Sequence, residues 1–234
     1  TYTFRTPGMA ADQPFIRNAD FDVKQYGFSL GGPIIKDKLH FFVAPEFQER
    51  SDPASGPAAA DGRVGDVALD SIARIAQIMQ GRGVDVGSAG FFRRNNPLTN
   101  LFGRLDYQIN GSNRLAFRQL YNTAEQDEFS RNTNAFNTNI AQQNSGIRLT
   151  SNAFSRKNTN VSSALQLYTN SARGWNNELS IGYNTVEDER ILPLNTPEIA
   201  VAVTPIGGTS ANRAVTFGSE RFSPGNLLKQ RIFE

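Results

Sequence analysis

Few residues in this chain are of a type that does covalent or metal chemistry, and those few do not cluster. There is one histidine, His40, and no cysteine, so disulfides, thiolate nucleophiles and a cysteine/histidine zinc site are excluded by composition. His40 adjoins Phe41 in an alternating segment and reads as a structural residue, or one facing an aqueous interior, in preference to a general base. Gly31-Gly32 and Gly207-Gly208 lack the Lys-Ser/Thr that follows the glycines of a phosphate loop, and no Gly-x-Ser-x-Gly elbow occurs. Asp85-Val86-Gly87 and Glu187-Asp188-Glu189 carry oxygens of the kind calcium takes, but solvated acidic segments are the plainer reading. Phe91-Phe92-Arg93-Arg94 is of a type to contact a ligand or lipopolysaccharide; the simpler reading is that it returns the chain to the next strand. No catalytic, cofactor-binding or metal-ligating residue is nominated, no cofactor is expected, and the chain reads as a non-enzyme.

Composition points to strands. The sequence has 17 Phe and 6 Tyr against 2 Met, and it is rich in Asn, Gly and Ser, a mixture that favours strands joined by polar turns over helical bundles. Charged residues make up 20% and the formal net charge is +2, with no basic run, so nucleic acid is not an expected partner. The sequence pI of about 9.0 reflects that small excess and no basic patch. No apolar run approaches the roughly 18 residues of a membrane helix. The chain starts Thr1-Tyr2-Thr3 without a signal peptide, and Leu227 to Glu234 read as the start of a strand, so it is expected to be an internal fragment.

The elements that must position these residues follow a rhythm: about ten residues of period-2 alternation, a turn, then a second such segment. The first pair runs from Phe21 to Gly31, with Tyr26, Phe28 and Leu30 on one face, and from Leu39 to about Arg50, with Leu39, Phe41 and Val43 opposing His40, Phe42 and Ala44. Gly32-Pro33 and Lys36-Asp37-Lys38 are the expected turn residues between them. In the second pair Leu101, Leu105, Tyr107 and Ile109 oppose Phe102, Arg104, Asp106 and Gln108. Asn110-Gly111-Ser112-Asn113 then turns the chain into a return strand carrying Leu115, Phe117 and Tyr121 opposite Arg118. In the third pair Val161, Leu165 and Leu167 precede a turn at Asn170 to Gly174, followed by Trp175, Asn177, Leu179, Ile181 and Tyr183 on one face. The links between hairpins are long, about 51–98, 125–152 and 188–224, and read as external loops. One of them has helical spacing from Val67 to Gln80, with Ile72, Ile75, Ala76 and Met79 on the apolar stripe, Asp66 or Asp70 as cap and Gly81 as stop.

Two architectures share this pattern. Strands of this length, apolar on one face and polar on the other, with short turns at one rim and long loops at the other, fit an up-and-down outer-membrane barrel. Aromatics near segment ends (Phe21, Tyr26, Phe41, Tyr107, Tyr121, Trp175 and Tyr183) would form its interfacial girdle. A soluble antiparallel sandwich that binds carbohydrate alternates in the same way.

The stretch Gln25-Tyr26-Gly27-Phe28-Ser29-Leu30-Gly31-Gly32-Pro33-Ile34-Ile35-Lys36-Asp37-Lys38-Leu39-His40-Phe41-Phe42 resembles a barrel hairpin of TonB-dependent transporters of the Oar-like type. Phe102 to Asn110, Trp175 to Tyr183, and Phe222-Ser223-Pro224-Gly225-Asn226 resemble the same family in the same order, so the resemblance spans nearly the whole chain. It implies an all-β fold: about six or seven strands of a larger transmembrane β-barrel, with long external loops, one holding a short helix. Residues 1–234 would be one partial barrel domain, without the plug, the energy-coupling segment or the remaining strands of a barrel of about 22. It further implies a Gram-negative outer membrane, lipid and lipopolysaccharide around the wall, and energy from the TonB complex acting through an N-terminal part of the parent. A transported substrate would be held by lumen and loop residues, none of which is assigned individually. A passive porin or adhesion barrel is the rival within the same architecture. At the Gly-Gly-Pro segment the expectation is a tight turn at Gly31-Gly32, with Pro33 ending ladder pairing.

Overall fold

The computed structural model describes residues 2–6, 21–54, 56, 59–130, 146–171, 174–208, 213–221 and 226–234. In chain order the elements are β1 (Tyr2–Arg5), β2 (Asp22–Gly27), β3 (Leu30–Ile35), β4 (Leu39–Pro53), β5 (Arg63–Val64), β6 (Val67–Ala68), α1 (Leu69–Gln80), β7 (Arg93–Asn95), β8 (Leu98–Asn110), β9 (Asn113–Glu128), β10 (Gly146–Arg148), β11 (Phe154–Asn170), β12 (Asn176–Ile191), β13 (Ile199–Val203), β14 (Arg213–Phe217) and β15 (Leu227–Phe233). Ten of the strands form one antiparallel sheet in the order β1-β2-β4-β8-β9-β11-β12-β15, with β3 and β7 also paired to β4. The chain is thus all-β with a single regular α-helix among the described residues, and the sheet is open, with β1 and β15 at its edges.

The three expected hairpins are present, and their strands are longer than the alternation suggested. β9, β11 and β12 have 16, 17 and 16 residues, paired in register along nearly their full length. The β8–β9 turn is held by Asn110, whose Oδ1 accepts from the backbone N–H of Ser112 and Asn113 at 3.0 Å each.

The first hairpin departs from expectation in two ways. Phe21 to Gly31 is not one strand: pairing stops after Gly27 and resumes at Leu30, so β2 and β3 lie end to end along the 15-residue β4. Gly31, Gly32 and Pro33 do not form the turn but sit in the ladder opposite Phe42, Phe41 and His40. The turn is Lys36–Lys38 alone, closed by Lys38 N–H donating to the Ile35 carbonyl at 3.0 Å, with Asp37 in the left-handed region at φ 59°. Gly31 is required there by contact: a Cβ would lie 3.0 Å from the Phe42 ring and 3.1 Å from the Phe41 carbonyl oxygen. Pro33 is tolerated because β3 has β4 as its one partner, so its missing donor faces an open edge.

The long connections are not structureless. Three of them fold together into a cap at the loop end of the sheet. β10, β14 and β13 form a three-stranded sheet in that order, with β10–β14 parallel. Its apolar side meets α1 and the β5–β6 hairpin in a core of Val64, Val67, Ile72, Ile75, Leu149 and Phe217 with their neighbours. The helix begins at Leu69, not Val67, because Val67 pairs with Val64. Its cap position is Ala68 and neither Asp66 nor Asp70; Asp66 is instead ion-paired with Arg213. Ile72 and Ile75 bury the expected stripe, and Gly81 ends the helix.

Buried Ser151 and Asn152 tie the three connections together. Ser151 Oγ donates to the Val86 carbonyl at 2.7 Å and accepts from Gly218 N–H at 3.0 Å. Asn152 Nδ2 donates to the Gly218 carbonyl at 3.0 Å. Gly87 touches the same point at φ 70°, where a Cβ would lie 2.4 Å from the Ser151 nitrogen. Gly87→Ala therefore combines left-handed strain of about 1–2 kcal/mol with a backbone clash. Its expected result is faster tryptic cleavage at Arg82 in the cap, with sites within β8–β9 as resistant as before.

Candidate functional site

The sheet's two faces are the feature that a function must explain. Register assigns them residue by residue. On one face successive rungs read Leu39–Tyr107–Leu115–Leu167–Leu179, Phe41–Leu105–Phe117–Leu165–Ile181 and Pro45–Leu101–Tyr121–Val161–Thr185. The rung between the last two, Val43–Gly103–Gln119–Ser163–Tyr183, carries two polar side chains that satisfy each other: Ser163 Oγ donates to Gln119 Oε1 at 2.6 Å. Among the described residues no charged side chain lies on this face between Leu39 and Pro45 of β4 or on the rungs facing them as far as β12; beyond it Arg231 of β15 stands opposite Thr185. From Leu101 to Ile109 the apolar stretch is nine residues, roughly 26 Å along the strand at about 3.3 Å per residue.

Toward the cap the same face becomes polar within two rungs. Thr99, Thr123 and Thr159 come first, with Thr123 and Thr159 hydroxyls 3.4 Å apart. Glu187 follows, taking a hydrogen bond from Lys229 Nζ at 2.8 Å, and then Glu125, Lys157 and Glu189. An aromatic pair marks this border, Tyr26 stacked on Phe47 with centroids 5.4 Å apart, whereas Tyr183 and Phe233, 4.7 Å apart, lie inside the band on the Val43–Gly103–Gln119–Ser163 rung. Tyr121 lies on the same border and Tyr107 on the opposite one, as does exposed Trp175. Phe41, by contrast, lies in the middle rung of the band, so it is not a girdle residue.

The opposite face is polar. Arg104 grips Asp106 with both Nε and Nη2, at 2.6 and 2.8 Å. The Arg114 guanidinium lies 4.6 Å over the Tyr168 ring, and Gln166 Nε2 donates to Glu178 Oε1 at 2.9 Å. Gln25 donates to Glu46. His40 is exposed on this face directly opposite Asp106. The side-chain oxygens of Asn100, Asn160 and Asn184 lie on the same side, buried and with no protein partner among the described residues.

Burial is inverted relative to a soluble sheet. On β8 the apolar Leu101, Leu105, Tyr107 and Ile109 are 39%, 41%, 42% and 46% exposed, while Phe102, Arg104, Asp106 and Gln108 between them are half-buried. Along β8 the apolar side is thus the more exposed one; on β4 the contrast does not hold, since His40 and Phe42 of the polar side are exposed while Leu39 and Phe41 are half-buried. The only well-buried apolar cluster among the described residues belongs to the cap.

The other residues singled out by type are accounted for locally. Asp85 Oδ1 accepts from Gly87 N–H at 2.8 Å. Glu187 and Glu189 point to the face opposite Asp188, so the three carboxylates cannot converge. Among the described residues no three His, Asp or Glu side chains gather at one point. Phe92 packs on Phe129 at 4.7 Å while Arg93 and Arg94, in β7, bind Ser51 and Asp52 of β4, so this segment returns the chain to the sheet. Residues 222–225 of the Phe222-to-Asn226 stretch lie outside the described residues, as do 172 and 173 of the third turn.

These observations define a class: an all-β protein built on an open antiparallel sheet with one largely apolar face, exposed along β8. No helix among the described residues is long and apolar enough to cross a membrane, which leaves spanning by strands unaddressed. No family model, no curated protein and no solved structure matches the chain.

Proposed function

We propose that this chain is a wall segment of an outer-membrane β-barrel and that its parent is an energy-coupled transporter of the TonB-dependent, Oar-like kind. The observation that carries the reading is the inversion of faces on β8: an apolar band nine residues long on the exposed side, free of charge from β4 to β12, over a half-buried polar side. A tilted strand needs about 9–11 residues to cross the hydrocarbon core. In lipid every backbone polar group must be paired, which the continuous ladder from β2 to β12 accomplishes. A soluble sandwich would lay a second sheet on the apolar face, and among the described residues none does.

On this reading the Lys36–Lys38, Asn110–Asn113 and Asn170–Gly174 turns face the periplasm, and the cap stands outside the cell over the lumen. Lipid and lipopolysaccharide contact the band and its aromatic border. Arg104, Asp106, Arg114 and Glu178 line the water-filled interior. TonB acts on a plug segment of the parent, and further strands close the barrel between the edges of β1 and β15. The transport function itself rests on the likeness of the Gln25-to-Phe42 segment to that family.

Fractionation of the source cells tests the proposal, with peptides of this sequence followed by mass spectrometry. Recovery in the detergent-resistant outer-membrane fraction, at the roughly 100 kDa that a plugged barrel of about 22 strands requires, is the expected result. A soluble species near the 25.7 kDa of this chain would end it.

A further inference from the structure

The cap meets the polar face of the sheet across a cleft of about 340 Å³ that the wall reading leaves without a role. The sheet contributes Phe154, Arg156 and Arg190; the cap contributes Arg148, Glu198 and the neighbours Glu220 and Arg221. Four guanidinium groups face two carboxylates, a local excess of two positive charges, or one if Glu128 beside the cleft is included. We infer that this cleft binds a small soluble oxyanion bearing at least two negative charges, as carboxylate or phosphate.

Cross-strand placement points to a ligand. Arg156 and Arg190 are directly paired on β11 and β12 and point to the same face. Like charges at such a pair are destabilising unless something stands between them. Elsewhere on this face the sequence resolves the same conflict internally: Arg104 and Arg118 are also directly paired, and Asp106 holds Arg104 in a two-bonded grip. At Arg156 the available carboxylate is Glu128, 3.7 Å away in a single contact. Among the described residues Arg190 has no carboxylate against it; it lies over the Phe154 ring, 5.4 Å from its centroid, and lines the cleft. On the cap side Glu198 holds Arg221 at 3.4 Å and accepts from Asn152 Nδ2 at 3.3 Å. Glu198 therefore positions the cap arginine, and an incoming anion is left to bridge the sheet arginines. Planar guanidinium groups suit the paired oxygens of carboxylate and phosphate.

The cleft opens on the polar face, away from the apolar band, so the anion comes from solution and not from a lipid headgroup. That it is cargo rests on the transport reading; that it binds does not. Loss of binding by a protein recovered from the outer membrane, or binding by a soluble one, therefore separates the two claims.

The test is calorimetric titration of the folded full-length chain in detergent at low salt with citrate, pyrophosphate and uncharged glucose. At least one of the two anions is expected to bind with one-to-one saturation and glucose not at all. Arg190→Gln is expected to weaken that binding about tenfold through loss of charge-assisted hydrogen bonds, while Arg74→Gln, the same charge change on exposed α1, leaves it unchanged. The ligand-free Tm of Arg190→Gln is expected within about 2 °C of the parent's, since relief of repulsion offsets the lost ring contact. No saturable binding by either anion, equal weakening in both variants, or a large fall in Tm would overturn the assignment, the last marking Arg190 as a structural group.

Discussion

Leu105→Arg is expected to cost about 2–4 kcal/mol of folding free energy in a phospholipid bilayer, whereas Thr99→Arg, on the same face of the same strand, costs about 0–1 kcal/mol. Leu105 is the midpoint of the Leu101-to-Ile109 stretch and sits in the rung Phe41–Leu105–Phe117–Leu165–Ile181, with no polar side chain beside it on that rung. An arginine there must carry its charge to the middle of the hydrocarbon or bend the wall toward water. Thr99 lies beyond Leu101, in the rung with Thr123 and Thr159 that on the membrane reading borders the headgroups, where a guanidinium would reach water and lipid phosphate. The gradient between the two sites is the diagnostic. A face exposed to water would accept both arginines at nearly no cost, and a face covered by protein would be punished by packing at each site regardless of depth. Urea titrations of the two variants refolded into vesicles measure it. Equal costs at Leu105 and Thr99 would remove the membrane from the account of this sheet.

What the sequence made legible is what repeats locally. The alternation in β8, β9, β11 and β12 assigns every side chain to the face on which the structure places it, because a strand's period of two is fixed by its backbone. The stripe of α1 was readable for the corresponding reason. Periodicity does not say which face is outside, and here the inverted burial is the new information. The Gly-Gly-Pro segment misleads because its residues favour turns locally, while Gly31 is there for close approach to Phe41 and Phe42 and Pro33 for an open edge. Apart from α1, the cap was not legible. Its core is assembled from pairs two residues apart, Ile147 with Leu149 and Val215 with Phe217, in segments separated by more than sixty residues and joined in parallel. Each pair alone is too short to carry a period, so the three connections read as loops. The arginines of the sheet–cap cleft were missed with it, since Arg148 and Arg190 become neighbours only once the cap has formed.

On the membrane reading the cap and the wall are stabilised by different solvents, and Phe217→Ala separates them. Phe217 is fully buried at the end of β14, against a core that includes Val64, Ile72 and Leu149. Truncating a buried phenylalanine removes its transfer free energy and leaves a cavity, together about 3–5 kcal/mol. The cap is small, with ten buried core residues among those described, and a loss of that size is comparable to all the stability such a unit holds. The wall takes nothing from that core: its ladder bonds lie within the sheet, and its apolar face is turned to the surroundings. The expected result is therefore selective. Amide hydrogens of β10, β13, β14 and α1 exchange at rates near those of an unfolded chain, while those of β8, β9, β11 and β12 keep their protection in the same sample. The oxyanion cleft is lost at the same time, because Arg148, Glu198 and Arg221 leave while Arg156 and Arg190 remain facing each other. Hydrogen exchange read by mass spectrometry resolves the two regions. Uniform loss of protection would mean that the long connections hold the strands together, and that the sheet has no independent hold on its surroundings.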